Sequence, residues 1–342
     1  MKLRYVGCVA VLVFAACKST STTTPTTAPA EAARPALAWP AGLPVYDHVV
    51  IVVEENKNYE QVIRPGGPTY INRLRAEGAN LTRMYGEEHH SEGNYFWLFS
   101  GSDQGTCCLD AIPTSFSKAP NLGQALIDTG RWTFKGYAED LPAIGSTVKK
   151  KGLYARKHVP WITFSNVPNG STADKSSNLR FADFPSDYTK LPTVAFVIPN
   201  LINDMHDGDV PGAVEAGSTW LEKNLDTYYQ WAKTHNSLLI VTFDENDKST
   251  KLGGPTDPAA TLPIDRNGIV TILAGAHIKA GDYSEGAEGA EGAEGAGANH
   301  VTLLRTLEAM YGLPRSGAQQ PWAEKAGISD TFLITDVFEP TP

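Results

Sequence analysis

Four short runs of apolar residues divide the chain, and they predict the strands of a buried sheet. The runs cover His48 to Val53, Thr193 to Ile198, Ser237 to Phe243 and Gly268 to Leu273. Each run is rich in Val and Ile and nearly continuous, without alternation between apolar and polar residues. This pattern is typical of parallel strands that are covered on both faces.

Helical patterns lie between and beside these runs. They cover Ile71 to Glu77, Gly123 to Asp128, Val214 to Thr234 and Val301 to Tyr311. A glycine, which favours helix termination, follows three of them, at Gly78, Gly130 and Gly312. Because the strands alternate with helices, we expect an α/β fold with a mostly parallel central sheet and helices on both faces.

The first 17 residues have the pattern of an export signal. Lys2 and Arg4 precede an apolar run from Tyr5 to Ala16, which is too short to span a bilayer. The sequence Phe14-Ala15-Ala16-Cys17 resembles a bacterial lipobox, in which the cysteine becomes lipidated after cleavage. We therefore expect an exported protein that is lipid-anchored to the bacterial cell envelope through Cys17. Ordinary secretion, with cleavage near Ala16, is the alternative.

A tether and one folded domain are expected after the signal. Residues 18–44 are rich in Thr, Pro and Ala, and they begin with a stretch almost without bulky apolar side chains, which cannot bury a core. Residues 45–342 are long enough for one large α/β domain. Within this domain, residues 285–296 repeat Glu-Gly-Ala four times, and we expect them to form a surface loop.

Charge and cysteine content make two classes of site improbable. The formal net charge is −9, and we interpret the basic run Lys149-Lys150-Lys151 as a solvated face, so no nucleic-acid partner is expected. Cys107 and Cys108 are adjacent, and they form either a strained vicinal disulfide or two reduced thiols. No cysteine spacing indicates a zinc site.

Acidic and amide residues follow three of the predicted strands. They are Glu54-Glu55-Asn56, then Asn200, Asn203, Asp204 and His206, and finally Asp244-Glu245-Asn246-Asp247. One such loop is usually a solvated turn or a helix cap. In doubly wound sheets, however, ligands bind beyond the carboxyl ends of the strands. Three oxygen-rich loops at one such edge favour a site for a divalent cation.

A serine precedes a further apolar run that could be a helix. The segment His89-His90-Ser91-Glu92-Gly93-Asn94-Tyr95 leads into Phe96 to Phe99. At the N-terminus of a helix, unpaired N–H groups and the helix dipole favour bound phosphate. Spacing alone does not distinguish this role from a Ser91 that only caps the helix. The segment is not a Gly-x-Ser-x-Gly elbow, so the sequence signal of an α/β-hydrolase triad is missing.

These segments resemble the phosphoesterase family that includes bacterial phospholipases C and secreted acid phosphatases, within the alkaline phosphatase superfamily. The resemblance covers Val45 to Pro314. It is carried by the segments Asp47 to Asn56, His89 to Tyr95, Tyr154 to Pro160, Pro199 to Gly208, Thr242 to Glu245 and Asn299 to Pro314. In the nucleophile segment, His90 and Gly93 stand where the family has proline.

The resemblance implies a nucleophile and a metal site. Ser91 would be the nucleophile, forming a phosphoserine that water then hydrolyses. Glu55, Asn56 and Asp244 would hold a divalent metal ion, with Ser91 as a further ligand and Glu245 as a ligand or its support. Coordination would lower the pKa of the serine hydroxyl, which is a poor nucleophile at neutral pH.

The resemblance also implies groups that handle the phosphate. Asn94 would hold a phosphoryl oxygen, and His158 and His206 would bind phosphate or protonate the leaving oxygen. Asp204 would orient His206 or join a second metal ion, which His300 could also serve. From the residues alone, His158 could equally be a buried structural histidine beside Pro160-Trp161, and His89 and His90 could be surface loop residues.

We therefore expect a metal-dependent phosphomonoesterase, similar to the acid phosphatases, that acts on a phosphate ester. One alternative is a phospholipase C or phosphodiesterase with the same nucleophile, but no extra lipid-binding domain is evident after Pro314. A second alternative, from another class, is a non-catalytic lipid-anchored binding protein. The presence together of Ser91, Glu55, Asn56, Asp244 and His206 argues against that alternative.

The expected anchor can be tested by changing Cys17→Ser. Because the sulfur would carry the lipid, the variant should be released from membranes or should fail to mature. Fractionation of cells that express the wild type and the variant measures this release. A variant that is processed normally and still sediments with membranes would contradict the anchor.

Overall fold

The computed structural model describes residues 42–64, 66–107, 109–113, 117–247, 267–284 and 296–339, which fall in one compact unit. Several expectations concern residues outside these ranges. They are the export signal with Cys17, the tether up to residue 41, Cys108 and the Glu-Gly-Ala repeat up to Gly295.

The strands of the described residues belong to one large sheet and one small hairpin. They are β1 (His48–Glu54), β2 (Ala79–Tyr85), β3 (Phe134–Ala138), β4 (Lys150–Lys151), β5 (Tyr154–Ala155), β6 (Asn178–Arg180), β7 (Val194–Ile198), β8 (Ser237–Phe243), β9 (Gly268–Gly275), β10 (Gly281–Tyr283) and β11 (Ala298–Asn299). The large sheet has the order β10-β2-β9-β8-β1-β7-β3-β6, with β11 beside β2. The strands β4 and β5 pair only with each other.

Seven α-helices lie within the described residues, and several of them pack on this sheet or on one another. They are α1 (Tyr59–Val62), α2 (Tyr70–Glu77), α3 (Ser91–Ser100), α4 (Leu122–Asp128), α5 (Gly212–Ala232), α6 (His300–Met310) and α7 (Pro321–Lys325). Helix α2 packs against α5, and α3 packs against α4 and α6. Among these helices, none is both long enough and apolar enough to cross a membrane.

The predicted α/β fold with a mostly parallel sheet is confirmed. Strand β1 lies between β7 and β8 and is parallel to both, and β3 continues the parallel arrangement beside β7. The predicted bounds of the four strands and four helices agree with the structure to within two residues at each end. Residues Val49 to Val53 at the centre of the sheet are at most 1% exposed, which explains their continuous apolar pattern.

One of the predicted strands runs in the opposite direction. Strand β9 pairs antiparallel with both β8 and β2, so the sheet is mixed. Its residues Ile269 to Ala274 are all buried. A buried antiparallel strand therefore has the same apolar pattern as a parallel one, because the pattern reports burial on both faces and contains no information on direction.

A contact between a glycine and a tryptophan supports the segment that carries His158. Two consecutive 3-10 helices, Arg156–His158 and Pro160–Thr163, pass over β3. The indole of Trp161 is buried and donates from Nε1 to Oδ1 of Asn178 at 3.1 Å. A Cβ atom on Gly136 would lie 2.2 Å from this indole. The absence of a side chain at Gly136 therefore lets the tryptophan pack flat on the strand.

We expect Gly136→Ala to destabilise the fold by about 1–3 kcal/mol, because an overpacked core must displace the indole. Thermal unfolding followed by circular dichroism measures the change. Gly212→Ala is the matched control, because a Cβ at Gly212 meets no atom within 4 Å. Equal melting temperatures for the two variants would show that the contact with Trp161 is not tight.

Candidate active site

The carboxyl ends of β1, β7 and β8 bring the predicted polar loops together. The register pairs Glu54 with Phe243, so the residues that follow them are neighbours. The backbone N–H of Asn56 donates to Oδ1 of Asp244 at 3.0 Å. The backbone N–H of Glu55 donates to the carbonyl of Asp204 at 2.7 Å. All three loops therefore meet at one edge of the sheet, as the strand pattern predicts.

Ser91 is the first residue of α3, and its hydroxyl points into this cluster. Its Oγ lies 2.9 Å from Oε2 of Glu55, 3.3 Å from Oε1 of Glu245 and 3.5 Å from Oδ1 of Asn56. The N-cap of α3 is His90, and Ser91 makes no capping bond. The hydroxyl is thus positioned at a helix N-terminus and directed at acidic groups, in place of capping the helix.

The acidic cluster fits a cation. Glu55, Asp244 and Glu245 are at most 1% exposed. Burial, together with the charges of Glu55 and Glu245, raises the pKa of Asp244 well above its usual range. A bound cation would remove this repulsion, and carboxylate and amide oxygens are suitable ligands for a hard divalent ion.

The Asn56 side chain supports the same conclusion. Its amide nitrogen, when turned toward the cluster, donates to Glu55 and Glu245 at 3.1 Å and to Asp244 at 3.3 Å. With its oxygen turned inward, the amide instead aims a lone pair at three carboxylates. That orientation is favourable only with a cation between them. The amide can thus satisfy the cluster by itself or become a ligand by rotation.

Histidine ligands also lie near this cluster. Glu55, His158 and His206 each place a potential ligand atom so that all three atoms lie within 4.8 Å of one another. A Glu/His set of this kind is a possible metal-binding site. It overlaps the predicted ligands only at Glu55, because the sequence interpretation assigned the two histidines to the phosphate.

His158 is a buried cation between two acids. Its Nε2 lies 3.0 Å from Oε1 of Glu55, and its Nδ1 lies 3.2 Å from Oδ2 of Asp204. Burial alone would lower the pKa of His158, but these carboxylates raise it to about 9. Burial would likewise raise the pKa of Glu55, but the charge of His158 holds it below its usual range. Burial raises the pKa of Asp204 to about 6 although His158 opposes the shift.

Tyr95 completes the support of Glu55. Its hydroxyl donates to Oε1 of Glu55 at 2.6 Å, and its ring stacks on the imidazole of His158 with centroids 5.2 Å apart. Tyr95 was not among the residues predicted for the site. Its spacing of four residues from Ser91 is the signal that could have revealed it, because residues i and i+4 share one face of a helix.

His206 is the more accessible of the two predicted histidines. Its side chain is 28% exposed, and its Nδ1 lies 2.8 Å from Oδ1 of Asp207. Its backbone N–H donates to Oδ1 of Asp204 at 2.8 Å. Asp204 therefore orients the loop of His206 through the main chain, while the imidazole of His206 itself pairs with Asp207.

Lys157 brings a positive charge that the sequence analysis did not assign. Its Nζ lies 3.5 Å from Nε2 of His206 and 2.9 Å from Oδ2 of Asp110. Lysine is a common phosphate-binding residue. Its position directly before His158 in the matched segment is the available sequence signal.

Asn94 and Gly93 shape the loop before Ser91. The Oδ1 of Asn94 accepts from the backbone N–H groups of Glu87 and Glu88 at 2.7 and 3.0 Å, and its Nδ2 donates to the carbonyl of Glu88 at 2.7 Å. The amide predicted to hold a phosphoryl oxygen is therefore engaged by the loop. A Cβ on Gly93 would lie 1.8 Å from Oε1 of Glu88, so this carboxylate occupies the space of a side chain.

Glu245 connects a second histidine to the serine. One of its oxygens contacts Ser91, and the other pairs with Nδ1 of His89. His89 is partly exposed and its ring contacts the site through Glu245, whereas His90 is exposed. Glu245 thus lies between an imidazole and the hydroxyl.

His300 lies beside the cluster and is neutral. It is the first residue of α6, and its Nε2 bonds to the carbonyl of Phe243 at 2.9 Å. Burial lowers the pKa of His300 to about 4. Its Nδ1 is buried without a hydrogen-bond partner. The predicted role at a second metal ion stays a prediction.

Comparisons with known proteins agree on one family. The profile of the Phosphoesterase family matches residues 68–314. The chain is 43% identical over 279 residues to the phosphatidylinositol-3-phosphatase of Mycobacterium tuberculosis, which covers 81% of each chain. It is 29% identical to a probable acid phosphatase of Kluyveromyces lactis, over 78% of this chain and 58% of that protein.

A solved structure shares the fold. It is a protein in the alkaline phosphatase superfamily from Vibrio parahaemolyticus, with a TM-score of 0.51 and 14% sequence identity. The match covers 80% of this chain and 68% of the other. At this identity the likeness concerns the fold alone.

The carboxyl of Glu87, below the Ser91 loop, makes the stability depend on pH. It is buried, and burial raises its pKa to about 8, although a bond from the N–H of Val301 opposes the shift. The folded protein therefore keeps a proton that the unfolded chain loses near pH 4.5. The contribution of the protonated Glu87 carboxyl to the free energy of unfolding is fully present below pH 4.5, and it is lost as the pH rises through 8.

We expect Glu87→Gln to abolish this loss of stability, since glutamine is neutral at every pH and keeps an acceptor for the N–H of Val301. Melting temperatures of the variant and the wild type between pH 5 and 8 measure the effect. As the pH rises, the melting temperature of the variant should increase relative to that of the wild type. Two parallel curves would show that Glu87 does not hold a proton in the folded protein.

Proposed function

As this chain belongs to the phosphoesterase family, and is thus a hydrolase of phosphoric esters, we propose that it is a metal-dependent phosphomonoesterase acting through a phosphoserine at Ser91. One observation carries the proposal. The hydroxyl of Ser91 lies at the N-terminus of α3, within hydrogen-bonding distance of the buried carboxylates of Glu55 and Glu245.

The cofactor in this proposal is a divalent cation of unspecified identity and number. Glu55, Asn56, Asp244 and Glu245 would hold it beside Ser91. When bound, it would lower the pKa of the serine hydroxyl and neutralise charge on the phosphoryl group. The crowding of carboxylates, the raised pKa of Asp244 and the rotatable amide of Asn56 support this assignment.

The first chemical step transfers the phosphoryl group to the chain. Oγ of Ser91 bonds to phosphorus while its proton passes to Glu245, whose Oε1 lies 3.3 Å away. The bond between phosphorus and the ester oxygen breaks, and the leaving oxygen takes a proton from His206. Its partly exposed ring suits contact with a departing group, whereas His158 is enclosed by Glu55 and Asp204 and positions them.

The second step restores the enzyme. A water molecule attacks phosphorus and gives a proton to His206, the bond to Oγ of Ser91 breaks, and inorganic phosphate leaves as the serine takes its proton back from Glu245. The ammonium of Lys157 and the N-terminus of α3 provide positive potential for the phosphoryl oxygens in both steps. The neighbouring charge of Asp110 keeps Lys157 on this side of the site.

The relatives favour a monoester substrate. The chain spans most of the Mycobacterium phosphatidylinositol-3-phosphatase, and the further relatives are named acid phosphatases. These names support phosphate monoesters over the diesters of a phospholipase C. They also favour an enzyme over a binding protein.

We also propose that the protein is exported and anchored to the cell envelope by a lipid on Cys17. The basic start, the short apolar run and the lipobox-like Phe14-Ala15-Ala16-Cys17 support this location. It would place the enzyme on a tether outside the cytoplasm, with access to both dissolved and membrane-borne esters.

Ser91→Ala tests the chemistry. We expect turnover of nitrophenyl phosphate to fall about a thousandfold or more with little loss of stability, because only the nucleophile is removed. Rates for phosphate mono- and diesters, with and without added divalent cations, measure the activity. Mass spectrometry of the acid-quenched wild type should find phosphate on the Ser91 peptide.

Ser186→Ala is the matched control, because Ser186 is exposed and precedes the amino end of β7, whereas the site lies beyond its carboxyl end. It should keep full activity. Near-normal turnover in Ser91→Ala would show that Ser91 is not the nucleophile.

A further inference from the structure

An exposed basic hairpin leads directly into the active site. The strands β4 and β5 form this hairpin, and Lys149, Lys150 and Lys151 are all exposed on it. The hairpin continues into the 3-10 helix Arg156–His158, which carries two charged groups of the site. A concentration of positive charge here contrasts with the net charge of −9 of the whole chain.

Exposed apolar side chains lie on two neighbouring segments. Among the described residues, the large apolar side chains that are exposed are Leu109, at 63%, and Ile202, at 44%. Leu109 precedes Asp110, the partner of Lys157. Ile202 lies two residues before Asp204 on the active-site loop that follows β7. Both side chains are therefore on segments that also carry groups of the site.

Hydrogen bonds join these three segments. The guanidinium of Arg156 is buried and donates to the carbonyls of Pro113 and Thr147 at 2.6 and 2.8 Å. The N–H of Leu201 donates to the carbonyl of Leu153 at 3.1 Å. The hairpin and the residue after it are thus bonded both to the segment of Leu109 and to the loop of Ile202. We call Leu109, Lys149 to Lys151 and Ile202 the docking rim.

We propose that the docking rim binds the surface of an anionic lipid bilayer. Lysines near such a surface each contribute about fivefold in affinity, and exposed apolar side chains enter the interfacial layer. Charge complementarity identifies the binding partner of the rim, because an anionic bilayer repels an acidic protein except where its lysines cluster. Two isolated apolar side chains would be unremarkable, but here both lie on segments bonded to the basic hairpin.

This inference deepens the proposed function, and it rests on that function only for its last step. A rim that holds the site against a bilayer would present to Ser91 the phosphate monoester of a lipid headgroup. Binding to the bilayer itself requires no chemistry at Ser91.

Sedimentation with vesicles tests the charge. The full chain carrying Cys17→Ser, so that no lipid is attached, is mixed with vesicles of phosphatidylcholine alone or with added phosphatidylinositol. Dividing the affinity for the anionic vesicles by the affinity for vesicles of phosphatidylcholine alone removes every contribution that is common to both kinds of vesicle. With Lys149→Glu, Lys150→Glu and Lys151→Glu together, we expect this ratio to fall about tenfold or more.

The matched control reverses three exposed lysines elsewhere, with Lys175→Glu, Lys190→Glu and Lys279→Glu. Lys175 and Lys190 precede the amino ends of β6 and β7, and Lys279 follows the carboxyl end of the antiparallel β9. All three therefore lie toward the end of the sheet that is away from the site. The control changes the net charge equally and should alter the ratio far less. An equal fall in both triple variants, or no fall in the hairpin variant, would overturn the proposal.

A second variant tests the apolar contribution. Leu109→Ser with Ile202→Ser should weaken binding to both kinds of vesicle severalfold, and unchanged binding would exclude these side chains from the rim. Nitrophenyl phosphate, a soluble monoester, should be hydrolysed normally by all rim variants. If no protein hydrolyses it while vesicle binding responds as expected, the proposed function fails and the docking rim stands.

Discussion

Repulsion between buried carboxylates is the constraint on which the site depends. The parallel register of β1 and β8 forces Glu55 against Asp244 and Glu245, and the loop after β7 adds Asp204. Each of these carboxyls is at most 1% exposed. Water cannot screen charges at this depth, so the protein has to supply positive charge or hold protons.

The chain supplies a buried counter-charge for one part of the cluster. His158 neutralises the pair of Glu55 and Asp204, which explains its high pKa. Lys57 approaches from the neighbouring loop, and its ammonium bonds to the carbonyls of Asn56 and Met205. Glu245 pairs with the partly exposed His89. Repulsion within the cluster still raises the pKa of Asp244, so the region around Asp244 and Glu245 is the one suited to a metal ion.

The sequence predicted those features of the fold and the site that depend on burial and on strand order. Continuous apolar runs located β1, β7, β8 and β9, and the loops after the first three met as expected. The direction of β9 could not be predicted, since its pattern records only burial. Short strands with polar residues, such as β3 and β6, lack a signal that distinguishes them from loops.

Side-chain partners were less predictable than positions. Asn94 was expected at the phosphate, but its amide engages the backbone of the loop before Ser91. The amide could donate either to a loop carbonyl or to a phosphoryl oxygen. The loop conformation determines which acceptor it bonds, and a sequence pattern does not specify that conformation. The same reason hid Tyr95, whose hydroxyl donates to Glu55, a residue 40 positions away in the sequence.

The contact between Glu88 and Gly93 couples two positions of the loop. The carboxylate of Glu88 fills the space that a side chain at position 93 would need, and it also accepts a bond from the indole of Trp97. A larger residue at position 93 would therefore displace this carboxylate and with it the bond to Trp97, so a change at one end of the loop reaches the middle of α3.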